Sequence, residues 1–161
     1  MEREWAEVSD DSEPAQVSVQ NVTPVALPQA ESALRALPEF VLLREGGRSV
    51  GAVAIILTSD EHLSHLHAEH LGDVSLTDIM TFPYSTSATV VSADIVISVE
   101  RAMEQAVDAG WSLDEEIQFI AIHGMLHLCG WDDHDEASRD LMHRRQHEIL
   151  EAFSHDHDLI P

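Results

Sequence analysis

Lysine is missing from this sequence, and all eight of its basic residues are arginines. The absence excludes chemistry that needs a lysine amine, such as Schiff-base formation and phosphate binding by a P-loop. The chain also carries thirty acidic residues, which give a formal net charge of −22. A chain with this charge repels nucleic acids at long range. Activity on a nucleic acid would therefore need a local positive site, to which a metal ion could contribute.

Cysteine is nearly absent as well, since Cys129 is the only one. A single cysteine excludes an internal disulfide and fits a reducing compartment. No apolar run reaches the length that spans a membrane, and the acidic N-terminus does not resemble a secretory signal. We therefore expect a cytoplasmic protein that makes no contact with a membrane.

The length of 161 residues favours one domain with a substantial core. Residues 1–14 are acidic and poor in large apolar side chains, a composition that predicts disorder. We assign the folded domain to residues 15–154 and expect a frayed tail at residues 155–161.

Strands and helices are mixed in the first part of this domain, and helices alone follow. Residues 72–84 have the composition of a loop, and two β-rich segments follow at 88–91 and 93–98. Ser112 and Glu115 form the pattern of a capping box, which predicts that a helix begins there. We therefore predict an α+β fold, a single compact domain in which a small mixed sheet packs with helices.

The segment FIAIHGMLHLCGWDDH, residues 119–134, carries the strongest chemical signal. His123 and His127 stand four residues apart in an apolar run, which places both on one face of a helix. Two imidazoles so placed can bind one metal ion, and burying them without partners would be costly. His143 and His147 have the same spacing, but charged and polar residues surround them, as on a solvated helix face. We therefore predict the metal site at the first pair.

Gly130 fits the C-terminal end of this helix, where a left-handed residue turns the chain. The turn can bring Asp132, Asp133 or His134 back towards the histidine pair as a third ligand. Three protein ligands leave one position for water, as in catalytic zinc sites, whereas structural zinc sites close all four positions. The sequence therefore predicts a catalytic, zincin-like Zn²⁺ site on a helix, with its third ligand left open by the spacing.

The pattern H-G-x-L-H-L-x-G resembles the YbeY family of bacterial endoribonucleases. Upstream, LGDVSLTDIMTFP (residues 71–83) is similar to a family segment ending in T-D-V-L-S-F-P, and ADIVIS (residues 93–98) is similar to G-D-I-V-I-S. The three segments occur in family order, which is more specific than any one of them. The resemblance implies a metal-dependent endoribonuclease, specific for single strands, that acts in small-subunit ribosomal RNA maturation and ribosome quality control. It also implies a compact α+β fold and a cytoplasmic location.

The family usually places a third histidine six residues after the second, where this chain has Asp133. The resemblance therefore implies Asp133 as the third ligand, with His134 as the alternative if the turn is one residue longer. Many members have an arginine at the position of Leu71, so its contact with an RNA phosphate cannot be carried over. Arg139 is one candidate to replace it.

The resemblance and the spacing together predict His123 and His127 as catalytic residues and, with Asp133, as ligands of one Zn²⁺ ion. The metal would activate a water molecule to attack a phosphodiester. Asp78 could line the cleft, and Phe82 could either stack on a base or pack in the core. The predicted partners are single-stranded RNA and the ribosomal RNA of the small subunit, while the oligomeric state stays open.

Two other functions remain possible on the sequence alone. Metallopeptidases of the metzincin type also use two histidines spaced by four, but in H-E-x-x-H a glutamate follows the first histidine and acts as general base. Gly124 occupies that position here and cannot take up a proton, which argues against peptide hydrolysis. The other possibility is a non-catalytic ribosome-assembly factor that a metal ion stabilises.

Overall fold

The structure is a computed structural model that describes residues 16–71 and 77–156. The N-terminal segment predicted to be disordered, residues 1–14, lies outside the described residues, as does most of the predicted tail. Leu71 ends a helix, and its side chain is also outside the described part. None of the helices within the described ranges combines the length and apolar character needed to cross a bilayer.

Four strands form one sheet in the described part of the chain. They are β1 (Gln16–Asn21), β2 (Ser49–Thr58), β3 (Ile79–Thr86) and β4 (Val90–Ser98). The strands lie side by side in the order β1-β2-β4-β3, with β1 and β4 parallel to β2 and with β3 antiparallel to β4. The sheet is therefore mixed, as predicted.

The prediction of a loop over residues 72–84 is wrong from Ile79 onwards, where β3 begins. Pro83 lies within β3, and because β3 is an edge strand, it tolerates the missing N–H of a proline. The two predicted β segments are in fact one strand, β4. The polar residue between them, Ser92, lies where the pairing of β2 with β4 shifts register, and its hydroxyl accepts a hydrogen bond from the Ala52 N–H of β2 at 3.0 Å.

Five helices pack with this sheet in the described residues. They are α1 (Pro28–Arg44), α2 (Asp60–Leu71), α3 (Val99–Ala109), α4 (Leu113–Leu128) and α5 (Glu136–Asp156). The central helix is α4, which contacts α1, α3 and α5 as well as strands β3 and β4. Its apolar side chains form the middle of the core, where Ile117, Ala121 and Met125 are completely buried. The predicted α+β class and single compact domain are confirmed.

The start of α4 follows the local sequence. The Ser112 hydroxyl accepts a hydrogen bond from the Glu115 N–H at 3.1 Å, and the Glu115 carboxylate accepts one from the Ser112 N–H at 3.0 Å. This confirms the predicted capping box. The box fixes where α4 begins and thus which of its residues face α5.

Candidate metal centre

His123 and His127 lie on one face of α4 with their rings turned towards each other. Their Nε2 atoms are 3.1 Å apart, and each side chain is about one third exposed. The ring centroids are 4.7 Å apart, with the ring planes nearly perpendicular. The pair therefore points its outer nitrogens at one common point at the protein surface.

The turn after α4 brings an acid to this point. Gly130 has φ 100°, in the left-handed region, and the Trp131 N–H donates to the Leu126 carbonyl while the Gly130 N–H donates to the His127 carbonyl. These two bonds form a Schellman motif, which ends a helix sharply. The returning chain places the Asp133 Oδ2 atom 3.5 Å from the His123 Nε2 and 3.4 Å from the His127 Nε2.

The neighbouring residue His134 does not approach the pair. Its side chain is 89% exposed, and its Nδ1 lies 3.2 Å from the Asp132 carboxylate. Of the three candidates for a third ligand, the turn therefore brings Asp133 to the histidines and leaves Asp132 and His134 at the surface.

The inner nitrogen of each histidine has a hydrogen-bond acceptor. The Gln146 Oε1 atom lies 3.2 Å from the His123 Nδ1, and the Trp131 carbonyl oxygen lies 3.0 Å from the His127 Nδ1. The Gln146 amide is oriented by its other end, because its Nε2 donates to the Phe119 carbonyl at 2.9 Å. Since both acceptors are oxygens, both Nδ1 atoms carry the hydrogen, and the Nε2 lone pairs point outwards.

This tautomer makes the group suitable for a cation. Two nitrogen lone pairs and a carboxylate oxygen converge, and all three ligand atoms lie within 4.8 Å of one another. Such atoms repel each other unless a proton or a cation lies between them. Two imidazoles and one carboxylate are a donor set found in zinc enzymes. His123, His127 and Asp133 therefore fit a divalent metal ion.

Glu45, at the C-terminal end of α1, anchors the turn that carries the acid. Its Oε1 accepts a hydrogen bond from the Trp131 indole at 2.9 Å, and its Oε2 pairs with the Arg145 Nε at 2.6 Å. The carboxylate is only 9% exposed, and charge-assisted bonds of this kind are strong. The contact ties α1, the turn and α5 together, so that the turn has little freedom to move away from the histidines.

A cavity of about 390 Å³ opens beside the metal group, between α4 and α5. Its walls combine apolar, acidic and basic side chains with two of the three candidate ligands. They are Asp78, Gln105, Glu116, Phe119, Ile120, His123, Asp133, Arg139, Asp140, Met142, His143 and Gln146. Asp78, which the sequence analysis considered for the cleft, and Arg139, its candidate for a phosphate contact, both line this cavity.

Glu116 is the most deeply buried acid in this cavity, at 5% exposed. Burial raises the pKa of its carboxyl group, and the negative charge of Asp78 raises it further. Asp78 has a partner of its own, since its Oδ2 accepts a hydrogen bond from the Gln105 amide at 3.3 Å. The end of the cavity that Glu116 and Asp78 line, its inner end, is therefore acidic, and the end near Arg139 is mixed in charge.

Phe82 does not line the cavity. Its ring packs edge-on against the His70 ring, with the centroids 5.0 Å apart. Of the two roles considered for Phe82, the structure gives contact with a neighbouring helix rather than a place beside the metal group.

The residue after His123 is Gly124, and its surroundings leave no room for a side chain. A Cβ atom there would lie 2.7 Å from the Ile79 Cδ1 and 3.1 Å from the Thr81 Cγ2. The position faces β3, and the glycine allows α4 to lie close against the sheet. A general base placed at this position, as in H-E-x-x-H, would meet the sheet and would not reach the metal group.

The second histidine pair, His143 and His147, is exposed, as predicted. The rings are not only solvated, however, since the His147 ring lies 4.7 Å from the Phe119 ring and 5.7 Å from the Trp111 ring. Partial burial lowers the pKa of His147, and the neighbouring His143 lowers it further. Within the described residues, no third ligating side chain joins this pair.

Comparison with known proteins points in the same direction as the geometry. The family model of Endoribonuclease YbeY matches residues 16–154. A protein of that name from Flavobacterium johnsoniae is 36% identical over 106 residues, which is 66% of this chain and 76% of the relative. Another from Petrotoga mobilis is 34% identical over 122 residues, 76% of this chain and 82% of the relative.

The solution structure of a protein from Thermotoga maritima has the same fold, with a TM-score of 0.60 and 21% identity, and the match covers 87% of this chain and 90% of that one. At this sequence identity the likeness shows the fold alone. The family match is what assigns the class: this chain belongs to the Endoribonuclease YbeY family.

Gln146 and Glu116 are the residues of this site that the sequence reasoning missed. A signal existed for Gln146, which is a polar residue in the buried stripe that Met142, Ile149 and Phe153 form on α5. Glu116 is one of the acids in the first turn of α4. It stands seven residues before His123, however, and this spacing puts both on one face of α4.

Proposed function

We propose that this protein is a zinc-dependent endoribonuclease that hydrolyses phosphodiester bonds in single-stranded RNA. The observation that carries the proposal is the convergence of the His123 and His127 Nε2 atoms with the Asp133 carboxylate, beside an open cavity. Relatives over most of this chain bear the name Endoribonuclease YbeY. We further propose small-subunit ribosomal RNA as the natural substrate and the cytoplasm as the location, on the strength of the family.

In this mechanism the chain holds and orients the metal. His123, His127 and Asp133 supply three ligands, and the acceptors on the two Nδ1 atoms keep the Nε2 atoms unprotonated. When bound, the divalent ion supplies the Lewis acidity that activates water and offsets charge on the phosphodiester. Because Asp133 is anionic, the metal with its three ligands carries one unit less positive charge than it would with a neutral third ligand. Positive side chains of the protein are therefore more important for binding the anionic phosphodiester.

Arg139 is the residue that we propose for binding the substrate phosphate. It lines the cavity that His123 and Asp133 also line. A guanidinium can donate two parallel hydrogen bonds to a phosphate. In a chain with a net charge of −22, Arg139 together with the metal ion provides the local positive site that an RNA substrate requires.

The deciding experiment compares RNA cleavage by the wild type with cleavage by two matched variants of the turn. Asp133→Ala removes the proposed third ligand, and His134→Ala removes its exposed neighbour. We expect metal analysis to find one zinc ion per chain in the wild type and in His134→Ala. We expect Asp133→Ala to lose zinc and to lose cleavage of a single-stranded RNA, while chelation abolishes cleavage by the wild type.

Two further substrates separate the rival functions. A duplex of the same RNA should resist cleavage, and casein should stay intact because Gly124 leaves no general base beside the first histidine. Cleavage of casein but not of RNA would instead identify a peptidase. Zinc-dependent folding without cleavage of either would identify a non-catalytic assembly factor.

A further inference from the structure

We propose that the cavity beside the metal group binds the nucleobase next to the cleaved phosphodiester, that Glu116 recognises this base, and that guanine is preferred. The inference rests on the proposed function, because it names a substrate feature of the same site. It depends on the chemistry of the inner end of the cavity rather than on the metal ligands.

The first observation is that Glu116 lines the cavity with its carboxyl group free for a ligand. The residue is 5% exposed and lines the cavity, and within the described ranges no residue hydrogen-bonds its carboxyl group. Its oxygens are not among the fully buried, unpartnered polar atoms of the described residues, so they reach the open space of the cavity. A carboxylate held in this way at a cavity wall is suited to a ligand that donates hydrogen bonds.

The second observation is the position of Glu116 relative to the metal group. It precedes His123 by seven residues on the same face of α4, which separates the two by two helical turns or roughly 10 Å along the axis. Ile120 lies between them, and the cavity extends past it from His123 and Asp133 to Glu116. A nucleotide whose phosphate lies at the metal group would therefore direct its base towards Glu116.

The walls between these two ends suit a flat aromatic ring. Phe119, Ile120 and Met142 give the cavity an apolar middle, and bases bind to proteins by stacking on apolar and aromatic side chains. The volume of about 390 Å³ lies within the range of roughly 300–1,000 Å³ that small-molecule pockets show. The cavity can therefore take one base together with its sugar.

Guanine fits the inner end best because a carboxylate can only accept hydrogen bonds. The Watson–Crick edge of guanine presents two neighbouring N–H donors, which match the two oxygens of one carboxylate. Cytosine and adenine present one donor beside an acceptor, and uracil presents one donor between two acceptors. The Asp78 Oδ2 atom accepts the Gln105 amide, so Glu116 is the carboxylate of this end with both oxygens available for the base.

Cleavage of four RNA oligonucleotides tests the inference. Each has a uridine background and carries guanine, adenine, cytosine or uracil at a single position. We expect the wild type to cleave beside guanine at least about tenfold faster in kcat/KM than beside uracil, the discrimination that one bidentate contact gives. Glu116→Gln replaces one acceptor by a donor and should abolish this preference, whereas Glu39→Gln, an exposed acid of α1, should retain it.

Nucleotide binding to the metal-free protein tests the same cavity without catalysis. NMR titration of the wild type with GMP should shift the methyl signals of Ile120 and Met142, and UMP should bind about tenfold more weakly. Because this measurement uses no variant, it holds even if Glu116→Gln does not fold.

The outcomes separate the inference from the function on which it rests. If the wild type cleaves no RNA but binds GMP in preference to UMP at these methyl groups, the proposed function fails and the base pocket stands. Equal binding of GMP and UMP, a preference for any base other than guanine, or an unchanged preference in Glu116→Gln would overturn the inference.

Discussion

Replacing Gln146 should separate the metal affinity of this protein from its stability. Gln146 is 4% exposed and makes two hydrogen bonds, one from its Oε1 to the His123 Nδ1 and one from its Nε2 to the Phe119 carbonyl. Gln146→Leu removes both, whereas Gln146→Glu keeps an acceptor for His123 and removes only the donor to Phe119. The two variants therefore differ in the contact that orients the metal ligand.

The magnitudes follow from these contacts. A partner that holds the second nitrogen of a metal-bound histidine is typically worth about 10- to 100-fold in metal affinity. We therefore expect Gln146→Leu to bind zinc about 10- to 100-fold more weakly and Gln146→Glu to bind it at least as tightly as the wild type. Both variants remove the hydrogen bond from the Gln146 amide to the Phe119 carbonyl, which still accepts the helical N–H of His123. The loss therefore costs about 0.5–1.5 kcal/mol in the free energy of unfolding.

Zinc affinity is measured by competition with a chelating dye, and stability by urea denaturation of the metal-free protein. NMR of the histidine ring nitrogens adds a direct readout, since His123 should carry its hydrogen on Nδ1 in the wild type and lose this tautomer preference in Gln146→Leu. Gln118→Leu, in a partly buried glutamine of α4 that lies outside the cavity, is the matched control. The reasoning fails if Gln146→Leu keeps wild-type zinc affinity, or if Gln146→Glu loses as much as Gln146→Leu.

Three further predictions follow from backbone geometry and from pKa shifts. Gly130→Ala places a side chain at φ 100°, so it should cost about 1–2 kcal/mol in the free energy of unfolding and weaken zinc binding. The control is Gly110→Ala, at φ 74°. It should lower the free energy of unfolding by as much in a denaturation experiment and leave zinc binding unchanged. Because burial raises the pKa of Glu116, its ionised form destabilises the fold at neutral pH. Glu116→Gln should therefore raise the thermal midpoint there, and the gain should vanish as the pH falls below the unfolded pKa of about 4.3; a gain that persisted in acid would contradict this. Burial also raises the pKa of the Cys129 thiol, so iodoacetamide should modify it more slowly in the folded protein than in urea, as mass spectrometry would record.

Local signals explain how much of the candidate site the sequence could predict. The capping box at Ser112, the pair His123 and His127, and the turn at Gly130 each depend on residues within a few positions of one another. Such patterns fix a helix start, a helix face and a helix end without knowledge of the rest of the fold. The choice of Asp133 needed the turn geometry as well, because three neighbouring side chains could each have reached the pair.

The contacts that the sequence could not predict join distant parts of the chain. Glu45 bonds to Trp131 and Arg145, which are 86 and 100 residues further along. The role of Gln146 depends on how α5 packs against α4, and no local pattern specifies that packing. Strand β3 was missed for a related reason, since Pro83 is acceptable there only because the strand lies at the edge of the sheet.

Two destabilising features of this protein lie in the walls of one cavity. Burial raises the pKa of Glu116 and makes its ionised form costly at neutral pH, and at the other end of the same cavity the lone pairs of His123 and His127 converge on the Asp133 carboxylate. Each feature costs free energy in the empty protein, and natural proteins tolerate such costs mainly where function requires them. The bonds of Glu45 and the Schellman turn lie directly around these features and hold them in position. A cation at one end and a hydrogen-bond donor at the other would relieve both costs, and a ribonucleotide bound across a metal ion supplies the two together.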